Sequence, residues 1–170
     1  VLADRYTIPM VYFGTSISQF PFTAGDRIDV ACNLGINEYN DQRTVSVRVV
    51  NVHPSGWRQG EVLRSAAAFE SILRGEETAD APENFTRNDL IGVFRYLRDN
   101  SPITVGTDGL YYILRKKLDG YTYFKHLAAL QIMRELELME ETQPERFQIK
   151  NGDKKVELEC SKTYKMLQKG

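Results

Sequence analysis

The sequence predicts an α+β fold in two parts: an antiparallel β half, then a mixed half of helices and a hairpin. Three observations carry this. Apolar and polar residues alternate with period two up to residue 52. From residue 59 onward the apolar spacing changes to that of helices. Near the C-terminus, Asn151-Gly152 stands between two alternating runs, the strongest short-range hairpin signal.

The first run, YTIPMVYF at 6–13, reads as a strand whose Pro9 has no N–H for a ladder, which points to an edge or a bulge. PFTAGDR then makes a turn. In the next strand Ile28, Val30, Cys32 and Leu34 alternate with Asp29, Ala31 and Asn33. The polar insert Asn37 to Asp41 connects it to the strand Arg43 to Val52. There Val45, Val47 and Val49 point one way, and Thr44, Ser46 and Arg48 the other. After Val49 the phase slips to Val50 and Val52, as a β-bulge or two-sided burial produces. Both strands are expected to be antiparallel and half-buried, with Cys32 a buried thiol. Pro54-Ser55-Gly56 ends the β half.

In EVLRSAAAFESILRG, Val62, Ala66, Phe69 and Leu73 fall at helical spacing, and Gly75 is a stop. EETADAPEN follows as an acidic linker. The expected division is a β domain over 1–58, a helix and linker over 59–81, and a C-terminal domain over 82–170. Thr86 with Asp89 resembles a capping box opening a helix that shows Leu90, Val93, Phe94 and Leu97 on one face. A second helix spans Asp108 to Leu118, and a third spans Thr122 to Met139 with Ala128, Ile132, Met133 and Leu136 on its clean face. Three helices followed by a hairpin around Asn151-Gly152 make a winged-helix outline.

Composition narrows the function. The apolar runs are far too short for a membrane span. The two cysteines lie far apart without metal-ligand spacing, which suits a reducing cytoplasm. A net charge of −1 hides an uneven spread. Residues 60–81 hold five acids against two arginines, whereas 144–170 hold seven Lys/Arg against four acids, so an anionic partner is excluded from the middle but not from the tail. The start at Val1 rather than Met suggests a piece of something longer.

The stretch YFGTSISQFPFTAGDRIDVACNLGINEYNDQRTVSVRVVNV resembles the oligonucleotide-binding (OB-like) domain of the RecJ family of single-stranded-DNA-specific exonucleases. The marks are Tyr12-Phe13-Gly14, Gly25-Asp26-Arg27-Ile28-Asp29, Asn37-Glu38-Tyr39 and the Val-rich strand after them. The second half, from FTRNDLIGVFRYLRDN to KVELECSKTYKML, is similar to the extra C-terminal domain of the Firmicutes-type members. The resemblance implies a non-catalytic C-terminal region whose OB-like part lacks its first strand, with Val1-Leu2 as the remnant and Asp4-Arg5 as the turn. An incomplete barrel leaves an unpaired strand edge, prone to pairing with another chain. It also implies that Mg or Mn belongs to an absent catalytic core, and that this chain needs no cofactor. The implied role lies in DNA repair and recombination. Its partners would be single-stranded DNA, the rest of the RecJ chain and the acidic tail of a single-strand-binding protein.

The residues themselves agree that chemistry is absent. Asp26 and Asp29 face opposite sides of a strand, and His53 and His126 lack a paired carboxylate at ligand spacing, whereas a two-metal nuclease needs converging ligands. Single-strand binding needs cations for phosphates and aromatic faces for bases. The candidates are Arg43 and Arg48 on the polar phase of the strand, Asn37 and Tyr39 in the preceding loop, and Trp57 and Arg58 just beyond. Lys154 and Lys155 in the expected wing add a possible backbone contact. The third helix carries Lys125 and Arg134 against Glu135, Glu137, Glu140 and Glu141, which disfavours duplex reading. Arg115-Lys116-Lys117 is a second basic cluster, at a helix C-terminus whose dipole it complements. A protein-docking module and a pure scaffold remain the competing classes.

Overall fold

A computed structural model describes residues 2–3, 6–76, 84–143, 145–150 and 156–168. The fold is mixed α and β with antiparallel sheets. The chain divides into two compact units: Val1–Ile17 with Phe22–Trp57, and Ser18–Pro21 with Arg58–Gly170. Among the described residues, no helix is long and apolar enough to cross a membrane.

The first unit is built on one long hairpin. Strand β1 (Leu2–Ala3) pairs antiparallel with β2 (Tyr6–Thr7), and β3 (Ile28–Tyr39) pairs antiparallel with β4 (Gln42–Pro54). The expected Asp4-Arg5 turn lies outside the described residues. Asn40 and Asp41 close the main hairpin at φ 51° and 60°, the two positive φ values of a two-residue type I′ turn. Asn37, Glu38 and Tyr39 therefore belong to the strand, opposite Thr44, Arg43 and Gln42, and not to a loop. The slip after Val49 is a bulge: Ala31 faces Asn51 while Cys32 faces Val49, so Val50 is the extra residue. The expected strand over 6–13 is broken. Beyond β2 only Val11 joins the sheet, donating to the Val47 carbonyl (3.0 Å) and accepting from the Val49 N–H (2.8 Å). Among the described residues no closed barrel forms, and this overturns the half-buried expectation. Most of β3 and β4 is exposed, Cys32 included, because among the described residues no second layer covers Leu34, Ile36 and Val45.

The second unit holds helices α1 (Gln59–Arg74), α2 (Arg87–Asn100), α3 (Thr107–Arg115), α4 (Tyr123–Glu135) and α5 (Lys162–Leu167). Its sheet contains β5 (Ile103–Thr104), β6 (Met139–Gln143) and β7 (Arg146–Ile149) in the order β5-β7-β6. The helix signals read from sequence hold. Gly75 caps α1 in the left-handed region, and Thr86 and Asp89 make the reciprocal capping box of α2. The second and third expected helices are both shorter, ending at Arg115 and Glu135, and Met139 opens β6. β7 pairs with β6, and the expected Asn151-Gly152 turn lies outside the described residues. Residues 158–160 form a 3₁₀ turn leading into α5 instead of a strand. Helix α4 sits at the centre, packed by α1, α2 and α5, with Phe124 meeting Phe69 of α1 edge-on at 5.8 Å.

Candidate nucleic-acid interface

Register decides which side chains share a side of the hairpin. In an antiparallel ladder, residues directly opposite each other face the same way, and successive residues alternate. One face therefore carries Val30 with Val52, Cys32 with Val49, Leu34 with Val47 and Ile36 with Val45. The other carries Tyr39 with Gln42, Asn37 with Thr44, Gly35 with Ser46, Asn33 with Arg48, Ala31 with Asn51 and Asp29 with His53. Arg48 and Asn51 would oppose each other in a regular strand. The Val50 bulge resets the phase and brings Asn51 and His53 round to the Arg48 side.

This polar face has stacking surfaces at both ends. Tyr39 is 79% exposed beside the turn. At the far end the His53 ring stacks on Trp57, with centroids 5.7 Å apart and planes 14° apart. Asn51 Nδ2 lies 3.2 Å from His53 Nε2, and Asn51 Oδ1 accepts from the Val52 N–H at 2.8 Å, so both side chains are held in place. Between the ends stand Arg48 and the carboxamides of Asn33, Asn37 and Asn51. At about 3.4 Å per residue the run from Tyr39 to Asp29 spans about 34 Å, room for several nucleotides. The acid on this face, Asp29, accepts from the Gly56 N–H at 3.3 Å.

Several expected site residues fall elsewhere. Arg43 is in phase with Val45 and Val47, so it projects from the apolar face and not beside Arg48. It is also ion-paired to Glu38, directly opposite, at 2.5 Å. Arg58 belongs to the second unit, where it donates to Glu61 Oε1 at 2.8 Å, and that carboxylate raises its pKa. Lys154 and Lys155 lie outside the described residues. Asn37, Tyr39, Arg48 and Trp57 do come together on one face. Sequence reasoning set His53 aside as a stray histidine; the phase slip after Val49 was the signal that could have placed it with Arg48.

In the second unit the cations of α4 are engaged. Lys125 Nζ lies 3.0 Å from Asp89 Oδ1, and Arg134 lies 3.4 Å from Glu141. Burial opposes ionisation of Asp89, but bonds from the Thr86 hydroxyl and N–H and from Lys125 hold its pKa down. Seven residues of α4 are buried, and Arg134 is exposed. The 115–117 cluster lies over tyrosine rings, with Lys116 Nζ 4.8 Å from the Tyr112 centroid and Lys117 Nζ 5.7 Å from that of Tyr96. Asp26 accepts from the Thr23 N–H and hydroxyl in a turn, and His126 is fully buried. Comparison with protein-family models, curated proteins and solved structures finds no match to this chain.

Proposed function

We propose that this chain is the non-catalytic C-terminal region of a RecJ-type single-strand-specific exonuclease, and that it holds single-stranded DNA along the Arg48 face of the β3–β4 hairpin. The observation that carries the reading is the alignment of exposed Tyr39 and the half-buried His53–Trp57 stack on one face, with a cation and three carboxamides between them. The long antiparallel strands with a bulge are compatible with an OB-like origin. The order α2, β5, α3, α4, β6, β7 and the sheet order β5-β7-β6 support a winged-helix reading of the second unit. In that reading α4 is the helix that would enter a groove. Its packing against α1 and α5, with its cations in ion pairs, supports a docking or scaffolding role for the second unit over duplex reading.

The magnitudes make the test specific. Stacking contributes roughly 1–3 kcal/mol per base, and one phosphate contact on a single strand gives a log–log salt slope of about −0.7. Binding should therefore be weak, weakly salt-dependent and dominated by aromatics. Fluorescence anisotropy with a labelled oligothymidylate is expected to show Tyr39→Ala and Trp57→Ala each weakening binding about tenfold at unchanged slope. Arg48→Ala is expected to remove most of the slope, and Arg43→Ala to do little. If Arg43→Ala matters as much as Arg48→Ala, or duplex binds as well as single strand, the reading fails.

A further inference from the structure

The opposite face of the hairpin is bare and apolar over Leu34, Ile36 and Val45, between buried Val47 and the Glu38–Arg43 ion pair. Leu34, Ile36 and Val45 are 72%, 68% and 67% exposed, while Val47, one pair further along, is 7% exposed. The segment at Val11 occupies the outer edge of β4, but among the described residues β3 has no neighbour except β4. A long edge strand usually carries lysine or proline to block pairing. Between Ile28 and Tyr39 there is neither, and Asp29 and Glu38 are the sole charges.

The backbone says which groups the edge offers. A two-residue turn makes Tyr39 and Gln42 a hydrogen-bonded pair, and pairs alternate from there. Leu34, Ile36 and Glu38 then direct their N–H and C=O away from β4. Val47, opposite Leu34, sends its carbonyl outward to the Val11 N–H, which independently gives the same phase. A strand adding to this edge must bond to these even-numbered residues.

We propose that a second copy of this chain covers the edge, β3 against β3 in antiparallel pairing about a two-fold axis at Leu34, giving a four-stranded sheet. Bonding requires outward groups on both copies, so an even residue must meet an even residue. That condition merges the two apolar faces into one. It also forbids the registers that set Asp29 against Glu38. About Leu34, Ile36 meets Cys32 of the second copy, Glu38 meets Val30, and Tyr39 meets Asp29, so no like charges meet and residues 29 to 39 all pair. The axis sets Leu34 against its own symmetry mate, the most exposed of the three bare apolar residues. The proposal uses the apolar face and the edge, and stands whether or not the Arg48 face binds nucleic acid.

Sedimentation velocity of the whole 170-residue chain should show a reversible dimer, with a dissociation constant of roughly 10–100 μM for an interface at the small end of the specific range. Leu34→Lys sets like charges at the axis and Ile36→Lys sets a charge against Cys32 in the merged apolar face; both positions are exposed, and each change should raise that constant at least tenfold with unchanged circular dichroism. Opposed residues of a bonded pair sit about 5.5 Å apart at Cα, within disulfide reach. In a Cys160→Ser background, Ile36→Cys should therefore give a disulfide-linked dimer with Cys32 on mild oxidation, and Asn37→Cys, on the other face, should not. A monomer at all concentrations overturns the proposal and assigns the face to a different strand. A dimer that survives both lysines, or that Asn37→Cys cross-links as well as Ile36→Cys, overturns it too.

Discussion

His126 shows how a single buried polar residue is accommodated. It is fully buried on α4, with Nε2 3.0 Å from the Thr107 carbonyl oxygen and Nδ1 3.0 Å from the Tyr121 hydroxyl. A carbonyl only accepts, so Nε2 carries the proton, Nδ1 is the lone pair and Tyr121 donates to it. Both ring nitrogens are thus satisfied in the neutral form. Burial pushes the imidazole pKa down to about 3, against the opposing pull of the Thr107 carbonyl. The unfolded chain takes up this proton near pH 6.5 and the folded chain refuses it until about pH 3, so stability falls as pH drops through that window. Denaturant unfolding should show a loss of roughly 2 kcal/mol between pH 7 and pH 5, above the range where the carboxylates contribute. Tyr121→Phe should cost a further 1–3 kcal/mol or so at pH 7 by orphaning Nδ1. Equal stability at pH 7 and pH 5 would sink the assignment. Sequence could not show this pairing, since a lone histidine in a helix carries no local sign of partners held by another part of the chain.

At the scale of elements, local signals were legible and pairing partners were not. The Thr86–Asp89 box, the Gly75 cap and the slip after Val49 are each written in a few consecutive residues, and each holds. Pairing depends on residues distant in the chain: the run at 146–149 pairs with β6, and Met139, which helical spacing assigns to a helix, opens that strand. The Asn151-Gly152 turn lies outside the described residues. Glu135 at the end of α4 holds α5. Ser161 Oγ donates to one carboxylate oxygen of Glu135 at 2.6 Å, and Thr163 donates its N–H at 3.0 Å and its hydroxyl at 2.6 Å. Burial opposes ionisation there, but these donors, with Gln131, hold the carboxyl pKa down to about 2. The clamp thus persists above the usual carboxylate range and is lost only as pH falls from about 4.5 toward 2. Glu135→Ala leaves the fully buried Ser161 and Thr163 hydroxyls without their acceptor and should cost about 2–3 kcal/mol. Hydrogen exchange should then speed up over 158–168 first, with the middle of α4 still protected. Uniform loss across α1, α4 and α5 would mean that α5 is not separately held.

Across the whole molecule, burial is distributed very unequally between the units. Among the described residues the fully buried large side chains, such as Phe85, Phe124, Phe147 and Leu110, all belong to the second unit. In the first unit Val47 and Pro54 are the buried apolar residues among those described. That difference was hidden in the sequence, because alternation marks which residues can face a core but not whether a second layer exists to make one. Apolar burial stabilises by about 25 cal/mol per Å², so the hairpin draws little from packing and depends on its ladder and turn. The two units should therefore open separately, the first at far lower free energy. In dilute protein, where no second copy is paired, amides of β3 and β4 should exchange at least a hundredfold faster than those of α4 around Ala129 and Met133. Raising the concentration should slow the outward-pointing amides of Leu34 and Ile36, and this slowing should vanish in Leu34→Lys. The α4 amides should not respond to concentration. Hairpin amides as protected as α4 in dilute solution would show that the first unit has a source of stability beyond the contacts described.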